Sequence, residues 1–307
     1  MATDFLSITD LTAQGLTQVL DNADNFRQGQ GSGTPLKGKN VAMLFEKPSL
    51  RTKVSFDIGI HDLGGHAVYL GQDEVGLGGR ESVEDIAKVL GRYVSIIVAR
   101  VFTHETLERM ANAASVPVVN ALSDYEHPCQ AVADLLTIRQ HRGRLDGMTV
   151  AFVGDSNNVS RSLALGCAMT GASFRLAPPN GYEFSAPDAE AIRAVFRDHG
   201  NAEGFVMLTS PDEAVAGADV VYTDVWTSMG QEDESPMRRE AFTGYQVNDA
   251  LMGKAGPNAI FMHDLPAHYG EEVAPGMLDH KQSVVFDQSE NRLHAQKAIL
   301  ELLLPSS

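Results

Sequence analysis

The 307-residue chain carries 40 acidic against 24 basic residues, a formal charge of −16 at pH 7. That balance argues against nucleic acid or an anionic membrane as the main partner, although a locally positive pocket can still bind a small anion. The length suits two domains of about 150 residues each. Cys129 and Cys167 form neither a metal-spaced pair nor a disulfide framework, Met1–Ser7 lacks a leader pattern, and no run of about 18 apolar residues occurs, so the expectation is a cytoplasmic protein without membrane spans.

Val41–Phe45 reads as a short buried strand, Pro48 breaks the chain, and Ser49 stands where an N-cap opens a helix carrying Val54, Phe56 and Ile60 inward. Ala67–Leu70, Ser95–Val101 and Val116–Asn120 follow as strands, with amphipathic Ser82–Tyr93 and Glu105–Ala114 between them, in a βαβα order. Gln130–Gln140 is a long apolar-faced helix, and the polar, glycine-bearing stretch His141–Gly147 is where the first domain, residues 1–142, ends. Met148–Val153 opens a second domain, residues 143–288, with a turn at Gly154–Asn158, a helix from about Val159, and strands at Ser173–Ala177, Gly204–Leu208, Val220–Thr223, Ala259–His263 and Ser283–Phe286. The expected fold class is α/β, two doubly wound parallel-sheet domains. Parallel sheets bind ligands at the carboxyl ends of their strands, so the loops after Phe45, Asp155, Asp224 and His263 are expected to face one cleft between the domains.

Four polar constellations sit at such loops. Ser49, Leu50, Arg51 and Thr52 combine hydroxyls, a guanidinium and the N–H groups of a helix start, the equipment of a phosphate site; the plainer alternative is a capped helix with a solvated arginine. Arg100, at a strand end, with His127 and Gln130, at a helix start, are donors suited to a polarised carbonyl oxygen, His127 being otherwise a helix-cap histidine. Asp224–Gln231 offers a carboxylate and hydroxyls that fit the ammonium and carboxylate of an amino acid, or a simple Asx-type turn. In His263-Asp264-Leu265-Pro266, the proline pushes Leu265 toward an extended or bridge conformation. Gly154–Asn158 matches no dinucleotide fingerprint and the chain has no Walker-type sequence; Asn157 and Asn158 read as amide partners of a polar ligand, or as turn formers.

In this order, Ser49-Leu50-Arg51-Thr52, Arg100, His127-Pro128-Cys129-Gln130, Asp224-Val225-Trp226-Thr227-Ser228-Met229-Gly230, His263-Asp264-Leu265-Pro266 and Glu290-Asn291-Arg292-Leu293-His294 make the chain resemble the aspartate/ornithine carbamoyltransferases over essentially its whole length. The resemblance implies transfer of the carbamoyl group of carbamoyl phosphate to the δ-amine of L-ornithine, giving L-citrulline and phosphate in arginine metabolism, with no metal or organic cofactor. Residues 1–142 would bind carbamoyl phosphate, residues 143–288 ornithine, and residues 289–307 would form a C-terminal helix returning to the first domain. By the same resemblance, Ser49, Leu50, Arg51, Thr52, Arg100, His127, Gln130, Leu265 and Arg292 would hold carbamoyl phosphate. Asn157, Asn158, Asp224, Ser228 and Met229 would hold ornithine, Arg51, Arg100, His127 and Asp264 would carry the chemistry, and the assembly would be a homotrimer with sites at subunit interfaces.

Three positions depart from the pattern of the family's ornithine enzymes. Leu50 stands for a threonine, Asp264 for a cysteine, and Gly76 for a glutamine that reaches a neighbouring subunit, with Arg80, Glu74 or water as candidate replacements for that glutamine. Transfer to another amine, such as putrescine or an N-acylornithine, and a binding protein without catalysis are the alternatives.

Overall fold

The computed structural model describes residues 4–31, 33–77, 80–228 and 230–304. The chain divides into two compact units, Met1–Leu136 with Glu290–Ser307, and Thr137–Ser289. It passes from one to the other within two helices, Pro128–Arg142 and Val285–Leu302.

The first unit holds strands β1 (Asn40–Phe45), β2 (His66–Gly71), β3 (Ile96–Arg100) and β4 (Val118–Leu122), all parallel in the order β2-β1-β3-β4. β1 and β3 are apolar runs buried on both faces because crossover helices cover the sheet on either side. Ala42, Leu44, Ile97, Ala99 and Val118 pack on one face against Val83, Ile86, Leu107 and Met110. Each fully buried aliphatic side chain of this kind contributes about 1.5–3 kcal/mol.

The second unit holds β5 (Thr149–Val153), β6 (Ser173–Ala177), β7 (Phe205–Met207), β8 (Val220–Tyr222) and β9 (Ile260–Met262), parallel in the order β7-β6-β5-β8-β9. Ala151, Val153, Val221 and Phe261 form one core layer with Val247, Leu251, Met252 and Val285. In both units the strand order reverses beside the first strand of the unit, at β1/β3 and at β5/β8. Those are the points where a doubly wound sheet opens a crevice at its carboxyl edge.

Two local expectations are corrected. In the helix Leu50–Asp62 the buried face is Thr52, Phe56, Gly59 and Ile60, spaced by four, three and one residues; Val54, half a turn away, is exposed. Ser283–Phe286 is not a strand. Ser283 makes one isolated bridge with Phe261, flanked by Phe261 N–H to Gln282 C=O and Val284 N–H to Phe261 C=O, and the C-terminal helix starts at Val285. The β-branched Val284-Val285 pair resembles a strand in sequence, but one turn of pairing is all that precedes the helix. Among the described residues no helix is long and apolar enough to cross a membrane.

Candidate active site

The first half-site lies in the first unit. Phe45 and Arg100 end neighbouring strands in register, so the turn after β1 and the Arg100 side chain emerge together at the reversal of strand order. Ser49 takes an extended conformation (φ −159°) and caps the following helix: its Oγ accepts the Thr52 N–H at 3.3 Å and donates to Thr52 Oγ1 at 2.9 Å. Leu50, the first helical residue, points its side chain to solvent (75% exposed), so its backbone N–H is what it can offer a ligand. Arg51 follows, half-buried.

Arg292 reaches this helix from the C-terminal one. Its Nη2 donates to Thr52 Oγ1 at 2.7 Å and its Nη1 to Gln130 Oε1 at 2.8 Å, while the Gln130 amide donates to Asp134 Oδ1 at 2.8 Å. Thr52 Oγ1 therefore accepts two bonds and retains its own proton for a third partner. Thr52, Arg100, His127, Gln130 and Arg292 are all buried. Burial, and after it the Arg292 and Arg100 charges, hold the His127 imidazole well below its ordinary titration range, so the ring is neutral at pH 7 and keeps one N–H to donate. The cradle is thus cationic through fixed guanidinium groups rather than through histidine, which is the arrangement a phosphate with an attached carbonyl requires.

Gly76 ends the short helix Gln72–Val75 in a left-handed conformation (φ 57°, ψ 44°) that favours glycine over glutamine. Arg80 is exposed and pairs with Glu81 at 3.6 Å.

The second half-site lies in the second unit. Phe152 pairs with Tyr222 and Tyr222 with Met262, so Asp224 and Asp264, each two residues beyond its strand partner, come off adjacent strands at the same level. Asn157 caps the helix Asn158–Thr170, its Oδ1 accepting the Val159 and Ser160 N–H groups at 3.0 Å, and donates from Nδ2 to Asp224 Oδ2 at 2.7 Å. Asn158 Oδ1 accepts the Val159 N–H at 3.1 Å. Asp224 Oδ1 accepts the Val225 N–H at 2.7 Å. Ser228 is half-buried, its N–H donating to Gln231 Oε1 at 3.2 Å; Met229 lies outside the described residues. Arg238 donates to Asp155 Oδ2 at 2.7 Å, Glu234 Oε2 at 2.9 Å and the Trp226 carbonyl at 3.0 Å, anchoring the loop that carries Asp224.

Asp224, His263 and Asp264 present oxygen and nitrogen atoms within 4.8 Å of one another. The His263 ring is fully buried: its Nδ1 accepts the Leu265 N–H at 2.9 Å, which places the ring proton on Nε2, facing Glu272 Oε1 at 3.2 Å. That turn corrects the expectation for Leu265, which is left-handed (φ 62°) rather than extended because its N–H is drawn back to His263. Burial, and next the neighbouring Asp264 carboxylate, raise Asp224 well above the ordinary carboxylate range.

Sequence reasoning missed Asp134 behind Gln130 and Glu272 behind His263. The only signal for either was that a buried amide or imidazole needs a partner.

Residues 3–140 match the family model described as aspartate/ornithine carbamoyltransferase, carbamoyl-P binding domain, and residues 146–303 match its Asp/Orn binding domain. The chain belongs to the aspartate/ornithine carbamoyltransferase family. Within it, the chain is similar to the ornithine carbamoyltransferase of Thermococcus kodakarensis, 47% identical over 98% of this chain and 96% of that one. Among solved structures it is similar to the ornithine carbamoyltransferase of Pyrococcus furiosus (TM-score 0.94, 45% identity, 99% and 97% of the two chains covered). It is likewise similar to that of Thermus thermophilus (0.90, 44%, 99% and 100%).

Proposed function

We propose that the chain transfers the carbamoyl group of carbamoyl phosphate to the δ-amine of L-ornithine, forming L-citrulline and phosphate. The observation that carries this reading is the hydrogen-bonded chain Ser49–Thr52–Arg292–Gln130, buried from Thr52 onward, beside Arg100 and a neutral His127. Ser49, Arg51, Thr52, Arg292 and the Leu50 N–H take the phosphate. Arg100, His127 and Gln130 take the carbamoyl end, and the Leu265 backbone is assigned to the same ligand. A neutral amine attacks the carbonyl carbon, negative charge develops on the carbonyl oxygen against Arg100, His127 and Thr52, and the carbon–oxygen bond to phosphate breaks with its electron pair leaving on a phosphate already held by Arg51 and Arg292. The nitrogen proton departs with the phosphate or to solvent.

The second unit binds the amino acid, with Asp224 on the ammonium and Asn157, Asn158, Ser228 and Met229 around the remaining polar groups. An amine with a pKa of about 10.4 costs roughly 4.6 kcal/mol to deprotonate at pH 7, so a carboxylate near it, Asp264, takes part in handling protons. The chemistry needs no metal or organic cofactor: every charge that develops has a side chain or backbone donor assigned to it.

The reading also makes the protein a cytoplasmic homotrimer with sites completed at subunit interfaces. The exposed stripe Leu50, Val54 and Ile58, spaced four residues apart on one helix face, supports association through that helix, and two buried free thiols suit a reducing compartment. Sedimentation checks the first point, a monomer being the contrary result.

Citrulline formation, assayed with L-ornithine, putrescine and N-acetylornithine side by side, tests the reaction. Turnover is expected with L-ornithine alone. Preferred carbamoylation of either other amine would overturn the assignment.

A further inference from the structure

We propose that Glu126 is a positioning residue for the transfer: its carboxylate ties residues 4–8 to the turn that carries His127, so that the N-terminal segment fixes where His127 stands at the carbonyl group. The inference rests on the assignment of His127 to the carbamoyl end.

The sheet edge is the first support. β4 stands last in the order β2-β1-β3-β4, and residues 4–6 run along its outer side. Phe5 N–H donates to the Val118 C=O and Asn120 N–H to the Phe5 C=O, each at 2.8 Å; Asp4 Oδ1 accepts the Val118 N–H and the Leu6 C=O accepts Asn120 Nδ2–H, each at 2.9 Å. Phe5 and Ile8 are buried, so the segment is packed onto the first unit as an added edge.

The second support is the Glu126 side chain. A buried carboxylate is costly and persists where donors are aimed at it. Glu126 is buried; its Oε1 accepts the Ser7 hydroxyl at 2.6 Å and its Oε2 the Ile8 N–H at 3.3 Å. The segment that covers the edge of β4 therefore ends by gripping a side chain one residue before His127.

The third support is how the turn passes that grip on. Glu126 N–H donates to Ser123 Oγ at 3.2 Å, and the Glu126 C=O accepts the Ser123 N–H at 3.0 Å and Asn120 Nδ2–H at 3.3 Å. Asn120 thus binds both the N-terminal segment and the turn through one amide. On its other side His127 is fixed by its own C=O, which accepts the Gln130 and Ala131 N–H groups at 3.0 and 3.2 Å as the helix Pro128–Arg142 begins. A group that meets charge developing in a transition state has to be held to within about 0.5 Å, and a displacement of about 1 Å can cost about a hundredfold in rate.

The test uses the full-length protein at saturating carbamoyl phosphate and L-ornithine, with circular dichroism establishing that each variant is folded at the assay temperature. Glu126→Ala is expected to lower kcat about ten- to a hundredfold while the KM for ornithine stays within about twofold. Glu126→Gln, which keeps an oxygen for Ser7, is expected to restore most of kcat. Ser7→Ala is expected to lower kcat severalfold in the wild-type background and not at all beside Glu126→Ala, because residues that act through one another are not additive. A role confined to stability would lower the melting temperature and leave kcat per folded molecule intact; that result, or additive effects of the two substitutions on kcat, would overturn the proposal. Where Glu126→Ala fails to fold, Ser7→Ala decides by itself, an unchanged kcat being the overturning result. Citrulline formation separates the two levels: citrulline from the wild type with an undiminished kcat in Glu126→Ala rejects the positioning role alone, whereas no citrulline from the wild type rejects the assignment beneath it.

Discussion

The two half-sites solve opposite electrostatic problems with opposite materials. In the first unit, the Arg292 guanidinium, which cannot lose its charge, is tied to Thr52 and Gln130 by direct hydrogen bonds, and His127 is held neutral by burial and then by the Arg292 and Arg100 charges. In the second, Asp224 and Asp264 present oxygens within 4.8 Å of each other, and burial, with the Asp264 carboxylate after it, raises Asp224 well above the ordinary carboxylate range. A site for an anion whose charge changes during reaction is built from fixed donors; a site for a cation that must be recognised and released is built from groups that titrate.

The contrast can be broken most forcefully on the fixed side. Arg100→Met is expected to lower kcat by about a hundred- to a thousandfold, the size of a lost oxyanion donor, with a smaller change in the KM for ornithine. A fall confined to KM would mean that Arg100 only holds substrate. On the titrating side, Asp224→Asn is expected to raise the KM for ornithine by about ten- to a hundredfold, equivalent to a charged hydrogen bond, while kcat changes little.

A finer test compares pH and stability. His127 titrates below its unfolded value of 6.5, so the unfolded chain binds more protons and His127 costs stability as pH falls below about 6.5. Asp224 titrates above its unfolded value of 3.8, so the folded chain binds more protons, and Asp224 costs stability as pH rises from 3.8 through its raised value. His127→Gln is expected to flatten the acid limb of a melting-temperature profile, and Asp224→Asn to raise the profile on its neutral and alkaline side. Equal shifts at every pH would show that neither group is linked to folding through its proton. The smallest effect is expected from Asn157→Ala, which removes a helix cap and the bond to Asp224 and should cost about 1–2 kcal/mol in chemical denaturation.

Much of this was legible before any coordinates. Apolar runs alternating with amphipathic segments announce two parallel sheets, and polar residues at strand ends are buried by the fold at the carboxyl edges, Arg100 at the end of β3 and Asp224 after β8 among them. Val54 was misplaced because an aliphatic residue on a helix reads as inward whichever face it occupies, and only Phe56 and Ile60 fix the phase. Leu265 was misread because the residue before a proline is ordinarily extended, a preference outweighed here by a hydrogen bond to His263. The nearness of Asp224 to Asp264 had no sequence signal at all. Forty residues separate the two positions, and only the register of β8 with β9 makes them one group.

Cys129 is buried, with burial first among the causes that push its thiol up to about 12, and Cys167 is buried as well. Among the described residues both free thiols are therefore shielded from peroxide and alkylating agents. At the position where the family resemblance implies a cysteine, this chain carries Asp264. The exchange of one side chain leaves at position 264 a group that oxidants do not attack.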